Sequence, residues 1–181
     1  MEDWFISAIF VPHKHSMKAG HNFAHPLQRY YDRIYKTYDL VNRIFTFGLD
    51  QKWRKITVDT CLAGKPESIL DLCCGTGDMT ISLYKKATYP VKIAAYDLNA
   101  HMLKIAKAKA AKTNANITFL QGDAGSMPFK AGEFNAITIG FGFRNLTWEN
   151  PHQHENISEI SRVLGAKGRL YILESAKPKN R

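Results

Sequence analysis

Three aspartates and one arginine stand where short apolar runs come to an end. Asp71 lies in Ile69-Leu70-Asp71-Leu72, Asp97 follows Val91–Tyr96, Asp123 follows Ile117–Gln121 and Gly122, and Arg144 follows Ala136–Gly140. A carboxylate accepts hydrogen bonds from hydroxyl and amino groups; a guanidinium donates them and stays protonated. After Asp71 comes Cys73-Cys74-Gly75-Thr76-Gly77-Asp78, a glycine-rich turn, and then Met79–Lys86, which reads as a helix. Glycine lets the backbone turn sharply and approach a ligand with no Cβ in the way. The helix that follows points its free N–H groups back at that ligand. A strand, glycine turn and helix in this order outline a nucleotide-cofactor site. An ordinary αβ turn with chance glycines is the plainer reading of the turn alone.

The pattern D-x-x-x-G-x-G-D differs from the dinucleotide fingerprint G-x-G-x-x-G, whose third glycine falls here on Thr80. Asp71 and Asp78 flank the turn and would repel a pyrophosphate, whereas a sulfonium and an ammonium group would be attracted. The expected cofactor is therefore S-adenosylmethionine, with a dinucleotide disfavoured. Asp97 lies 20 residues past Gly77, where a carboxylate accepts from both ribose hydroxyls of an adenosine group. Asp123 is placed to take the adenine amino group, and Met127-Pro128-Phe129 offers apolar contact for the ring.

Elements that would hold these residues alternate along the chain. The apolar period predicts helices over Trp53–Leu62, Met79–Lys86, Asn99–Thr113 (with Asn99 as cap) and His154–Leu164. Gly48 reads as a helix stop, and Phe141–Asn145 as a loop. Strands are expected around Ile69–Leu72, Val91–Tyr96, Ile117–Gln121, Ala136–Gly140 and Arg169–Glu174. The fold class is then α/β: a Rossmann-like, doubly wound, mainly parallel sheet with ligands at the strand carboxyl ends. Residues 1–25 read as an N-terminal extension, 26–65 as a helical substrate or lid segment, and 66–181 as the cofactor-binding core of a single domain. An aromatic stripe, Tyr30, Tyr31, Ile34, Tyr38, Val41 and Phe45, runs through the second segment as core or lid.

Composition sets wider bounds. The chain has 181 residues, 45% of them hydrophobic, enough for one domain with a real core. No apolar run approaches the roughly 20 residues that span a bilayer. The three cysteines make no disulfide framework, and a reducing cytoplasm fits. His13, His15, His21 and His25 have no metal-ligand spacing, and His152 and His154 read as surface loop residues. The net charge of +9 admits nucleic acid, an anionic membrane surface or plain solubility; Lys104, Lys107, Lys109 and Lys112 read as a solvated helix face.

Four stretches carry a resemblance: YDRIYKTYDLVNRIFTFGLDQKW (Tyr31–Trp53), LDLCCGTGDMT (Leu70–Thr80), YDLNAHML (Tyr96–Leu103) and ITIGFGFRNL (Ile137–Leu146). With them the chain resembles the ubiquinone/menaquinone biosynthesis C-methyltransferases, the UbiE family. The resemblance covers about residues 27–178. It implies an S-adenosylmethionine-dependent enzyme that methylates a carbon of a prenylated quinol ring. Cofactor contacts would come from Asp71, Gly75, Thr76, Gly77, Asp97, Leu98, Asp123, Ala124 and Gly140, the last standing where the family usually has serine. Arg144 would stabilise the phenolate and orient a proton-accepting water, with Asn145 helping, so these are the catalytic candidates. Tyr38, Asp39 and Asn42 would shape the substrate entrance. Near the end, Arg162-Val163-Leu164-Gly165-Ala166-Lys167-Gly168 replaces the family's R-V-L-K-P-G-G. Family members run on for several tens of residues past Pro178, so a C-terminally shortened version, with an exposed sheet edge, is the expectation. The prenyl tail implies peripheral contact with the inner membrane face, and a homodimer stays open.

Other readings compete. An RNA methyltransferase would suit the positive charge, but the loop GFGFRN is not the N-P-P-Y type of many amino-group nucleic-acid methylators. A non-catalytic cofactor-binding remnant also fits, since a fold does not fix a function.

Overall fold

A computed structural model describes residues 46–174 of the chain. Among these residues five strands form one sheet: β1 (Ser68–Leu72), β2 (Lys92–Asp97), β3 (Thr118–Gln121), β4 (Phe134–Gly140) and β5 (Leu164–Leu173). Their order is β3-β2-β1-β4-β5 and every pairing is parallel. The helices are α1 (Leu49–Ala63), α2 (Asp78–Lys86), α3 (Ala100–Ala111), α4 (Phe143–Thr147) and α5 (Gln153–Val163). This is the expected Rossmann-like α/β architecture.

Side chains along a strand alternate between faces, and the core divides accordingly. On one face Ile69, Ile93 and Ala136 pack with Val58 and Cys61 of α1 and Met79 and Leu83 of α2. Leu70, Leu72, Ala94, Tyr96, Ile137 and Ile139 point the other way, against Leu146, Ile160 and Val163 around α4 and α5. Both faces are covered, as a parallel sheet requires. The inner side of α1 thus belongs to the same core as the sheet.

Three elements differ from expectation. Gly48, read as a helix stop, immediately precedes α1, which starts four residues before Trp53. Phe141–Asn145 is not wholly loop, because α4 begins at Phe143, with Thr147 Oγ1 donating to the Phe143 carbonyl at 3.0 Å. β5 begins at Leu164, directly after α5, five residues before Arg169. Phe134 pairs with Leu164 and Ala136 with Arg169, so Gly165–Gly168 forms an irregular step in the register. No apolar periodicity marks that step. Asn99 caps α3 as expected, its side chain accepting from the Met102 N–H at 3.0 Å. Among the described residues no helix is long and apolar enough to cross a membrane.

Candidate cofactor site

Strand order reverses at β1, whose neighbours β2 and β4 lead the chain in opposite directions. Loops leaving their carboxyl ends part there and open a crevice. The turn after β1 builds its floor. Gly77 N–H donates to the Cys74 carbonyl at 2.9 Å, and Gly77 takes φ 81, a conformation open to glycine at little cost. A Cβ on Gly77 would also lie 2.8 Å from the Ala106 Cβ of α3. This glycine therefore serves close packing between α2 and α3 as well as the turn.

Asp97 ends β2 beside this turn. Its two carboxylate oxygens accept the Gly75 N–H at 2.7 Å and the Asn99 N–H at 2.8 Å. Burial pushes the carboxyl above its ordinary range, and the two N–H donors partly offset that rise. Each oxygen keeps a second lone pair for a ligand hydroxyl. After β3, Asp123 closes a turn by accepting the Gly125 N–H at 2.8 Å, and its carbonyl accepts from the buried Tyr96 Oη at 3.2 Å. Gly140 at the end of β4, with Phe141 and Gly142 after it, forms another wall.

The cleft brings together Gly75, Thr76, Asp97, Leu98, Asp123, Ala124, Gly140 and Asn145 from the expected set. Gly77 supports the turn from behind. Asp71 is elsewhere: it is one residue short of the strand end and shares the Ile69 face. There it is buried beneath α2, accepting from Thr80 Oγ1 and, at 2.8 Å, from Thr138 Oγ1 of β4. Burial pushes its carboxyl up to about 6, against the lowering effect of those two hydroxyls and of Arg54. Asp71 is thus an internal strut and does not line the cleft.

The charge argument from the flanking acids changes with it. Asp78 does line the cleft, but Lys109 lies 2.6 Å away. Burial alone would raise the Asp78 carboxyl; the hydrogen bond and charge of Lys109 outweigh it and hold it below the usual range. Asp97 and Asp123 carry the acidic character expected of Asp71. The apolar contacts also move. Met127 is buried in the core, and Phe129 packs edge-on against Tyr96 and Phe134, so neither lines the cleft. Leu98, Met102 and Leu146 do. Arg162 instead clamps the Met127–Phe129 stretch by donating to both carbonyls, at 3.0 and 2.7 Å.

Arg144 is exposed, its guanidinium 5.0 Å above the Trp148 ring, and it does not line the cleft. His152, read as a surface residue, is exposed but lines the mouth. Tyr38, Asp39, Asn42, the aromatic stripe and the four N-terminal histidines lie outside the described residues. Among the lining residues that sequence reading missed, two polar ones come from helices, Arg54 of α1 and Asn156 of α5. Asn156 is buried; its Nδ2 donates to the Leu146 carbonyl at 2.9 Å while its Oδ1 has no partner among the described residues. Both residues sit on predicted helices, but helical period marks only the face toward the core, not the end that reaches a crevice.

Residues 18–181 match the sequence profile of the ubiE/COQ5 methyltransferase family. The chain belongs to that family. It is 43% identical over 150 residues to the demethylmenaquinone methyltransferase of Thermotoga maritima, covering 83% of this chain and 62% of the relative. To the enzyme of that name from Lactiplantibacillus plantarum it is 37% identical over 161 residues, covering 88% and 66%. The chain therefore spans somewhat under two thirds of these curated relatives. A solved S-adenosylmethionine-dependent methyltransferase from Aquifex aeolicus shares the fold with a TM-score of 0.54 at 22% identity, over 64% of this chain and 61% of that one. The [4+2]-cyclase SpnF does so with a TM-score of 0.52 at 24% identity, over 58% and 37%. A methyltransferase and a cyclase on one frame show that the fold does not fix the chemistry.

Proposed function

We propose that this ubiE/COQ5 family member transfers a methyl group from S-adenosylmethionine to a carbon of a prenylated quinol ring, of the demethylmenaquinol to menaquinol type. The observation that carries the proposal is Asp97, held by two backbone N–H groups against the glycine turn of a cleft that ends in Asp123. Such a pair suits an adenosine group, with Asp97 toward the ribose hydroxyls and Asp123, the Ala124 backbone and Asn156 toward the base. The relatives' names support the quinol.

When bound, the cofactor supplies an electrophilic methyl group. The protein's own work is alignment, exclusion of water and stabilisation of a phenolate, because ionising the hydroxyl next to the attacking ring carbon raises its electron density. Asn145 lines the cleft and is placed to hold a ring hydroxyl or a water. Arg144 precedes it by one residue and is proposed for the phenolate on the resemblance alone, a role that requires its side chain to leave Trp148. Tyr38, Asp39 and Asn42 are proposed for the substrate entrance on the resemblance alone. The prenyl tail supports working contact with a membrane surface from the cytoplasmic side, through exposed lysines such as Lys104 and Lys107 of α3.

The test is calorimetric titration of the 181-residue chain with S-adenosylmethionine, with NAD as comparator, followed by a demethylmenaquinol methylation assay. Micromolar binding of the first ligand alone and methyl transfer to the ring are expected. Binding of NAD alone, or no transfer by a chain that binds the cofactor, would overturn the respective half of the proposal.

A further inference from the structure

Arg54 belongs to the lining of the cleft. It projects from α1 to the end of the crevice formed by β1 and β4, beside Asp78, Gly140 and Phe141. Among the described residues that line the cleft it is the only lysine or arginine. Its side chain is only 14% exposed, and its guanidinium lies 5.0 Å from the Phe141 ring centroid. The buried Nε has no hydrogen-bond partner among the described residues. Asp50 is the nearest carboxylate, with 3.9 Å from Nε to Oδ2, beyond hydrogen-bond reach. Its oxygens already accept from Thr46 Oγ1 at 3.1 Å and Gln51 Nε2 at 3.0 Å. Asp50 thus attracts the guanidinium without accepting a hydrogen bond from Nε.

A buried guanidinium with a spare donor is costly unless something accepts from it. Space for it comes from Gly140, where a Cβ would lie 3.0 Å from Arg54 Nη1 and 2.9 Å from Met79 Cε. The cleft is therefore polarised along its length. Asp97 and Asp123 occupy the β2–β3 end; at the β1–β4 end the Asp78 carboxylate is paired with Lys109, and the cation that lines the cleft is Arg54. A ligand that fits both ends has hydroxyl and amino donors at one end and an anion at the other.

We propose that Arg54 binds the α-carboxylate of the cofactor's methionine moiety, with the guanidinium clamped between Phe141 and the carboxylate. The inference rests on the reading of the cleft as an S-adenosylmethionine site and adds the residue that recognises the amino-acid end. A planar guanidinium matches a carboxylate through paired N–H donors, and a lysine does not reproduce that geometry.

The experiment compares two ligands that differ at that end. S-adenosylhomocysteine carries the carboxylate; 5′-methylthioadenosine keeps the adenosine but lacks the amino-acid group. Both are titrated calorimetrically into the full chain and into Arg54→Gln and Arg54→Lys. For S-adenosylhomocysteine, Arg54→Gln should lose about 10- to 100-fold in affinity, the range of a lost charged hydrogen bond. Arg54→Lys should fall between it and the parent. For 5′-methylthioadenosine all three proteins should agree within about threefold, which also reports that the variants fold. Equal affinity of Arg54→Gln and the parent for S-adenosylhomocysteine would overturn the assignment. So would an equal loss for both ligands, which marks a packing role, or unchanged binding with reduced turnover, which moves Arg54 to the phenolate. A parent chain that binds neither ligand would overturn the cofactor reading itself, and the assignment with it.

Discussion

Replacing Asp71 by asparagine should stabilise the protein at neutral pH. The carboxyl is buried under α2, and its pKa is pushed from 3.8 up to about 6, burial outweighing the hydroxyls of Thr80 and Thr138. At 1.36 kcal/mol per unit, that rise of roughly two units corresponds to about 3 kcal/mol. The folded state holds the proton more tightly than the unfolded chain. This contribution to stability is therefore fully present below about pH 4 and lost as pH rises through about 6. Asparagine removes the buried charge yet keeps both bonds: its Oδ1 accepts from one threonine and its Nδ2 donates to the other. It also forfeits attraction to Arg54, which reduces the gain. The expected outcome is about 1–3 kcal/mol of added stability at pH 7.5, shrinking toward zero near pH 4. Urea unfolding of both proteins at several pH values measures it, and cofactor affinity should stay within about twofold. An Asp71→Asn protein more than about 1 kcal/mol less stable than the parent at pH 7.5, or one with the parent's pH dependence, would refute the strut reading.

Asp97→Asn should weaken cofactor binding at least about tenfold, since it turns one carboxylate oxygen into a donor and takes from a ribose hydroxyl a charge-assisted bond worth roughly 1.5–3 kcal/mol; calorimetric titration reads the loss. Gly122→Ala should destabilise by about 1–3 kcal/mol, the usual cost of overpacking, because its Cβ would fall 1.8 Å from Tyr96 Oη; thermal unfolding checks it. Arg144→Ala should retain cofactor affinity while slowing single-turnover methyl transfer about 100-fold or more, the scale of one lost stabilising donor. Unchanged single-turnover rates would confine Arg144 to its stacking on Trp148.

The glycine turn, Asp97 and Asp123 were legible because each depends on local chain chemistry. An apolar run ends, a glycine permits a turn, and an acid follows a strand. Short apolar runs alternating with 3.6-residue periods also sufficed for the parallel α/β architecture, and Asn99 announced the cap of α3. What the sequence could not settle was orientation. Asp71 and Asp97 look equivalent in the chain, but strand alternation and the partners Thr80 and Thr138 bury the first, while its place at the last position of β2 brings the second to the cleft. Asp78 looks like a free acid until Lys109, 31 residues away, closes on it. Arg54 carries no local mark at all. Its role emerges only when α1 packs against the sheet, Gly140 leaves it room and Asp50 stays out of hydrogen-bond reach. Local sequence determined which elements form and which loops can hold a ligand. The tertiary structure decided which charges are desolvated, which are paired and which face the cleft, because those depend on neighbours that sequence separation conceals.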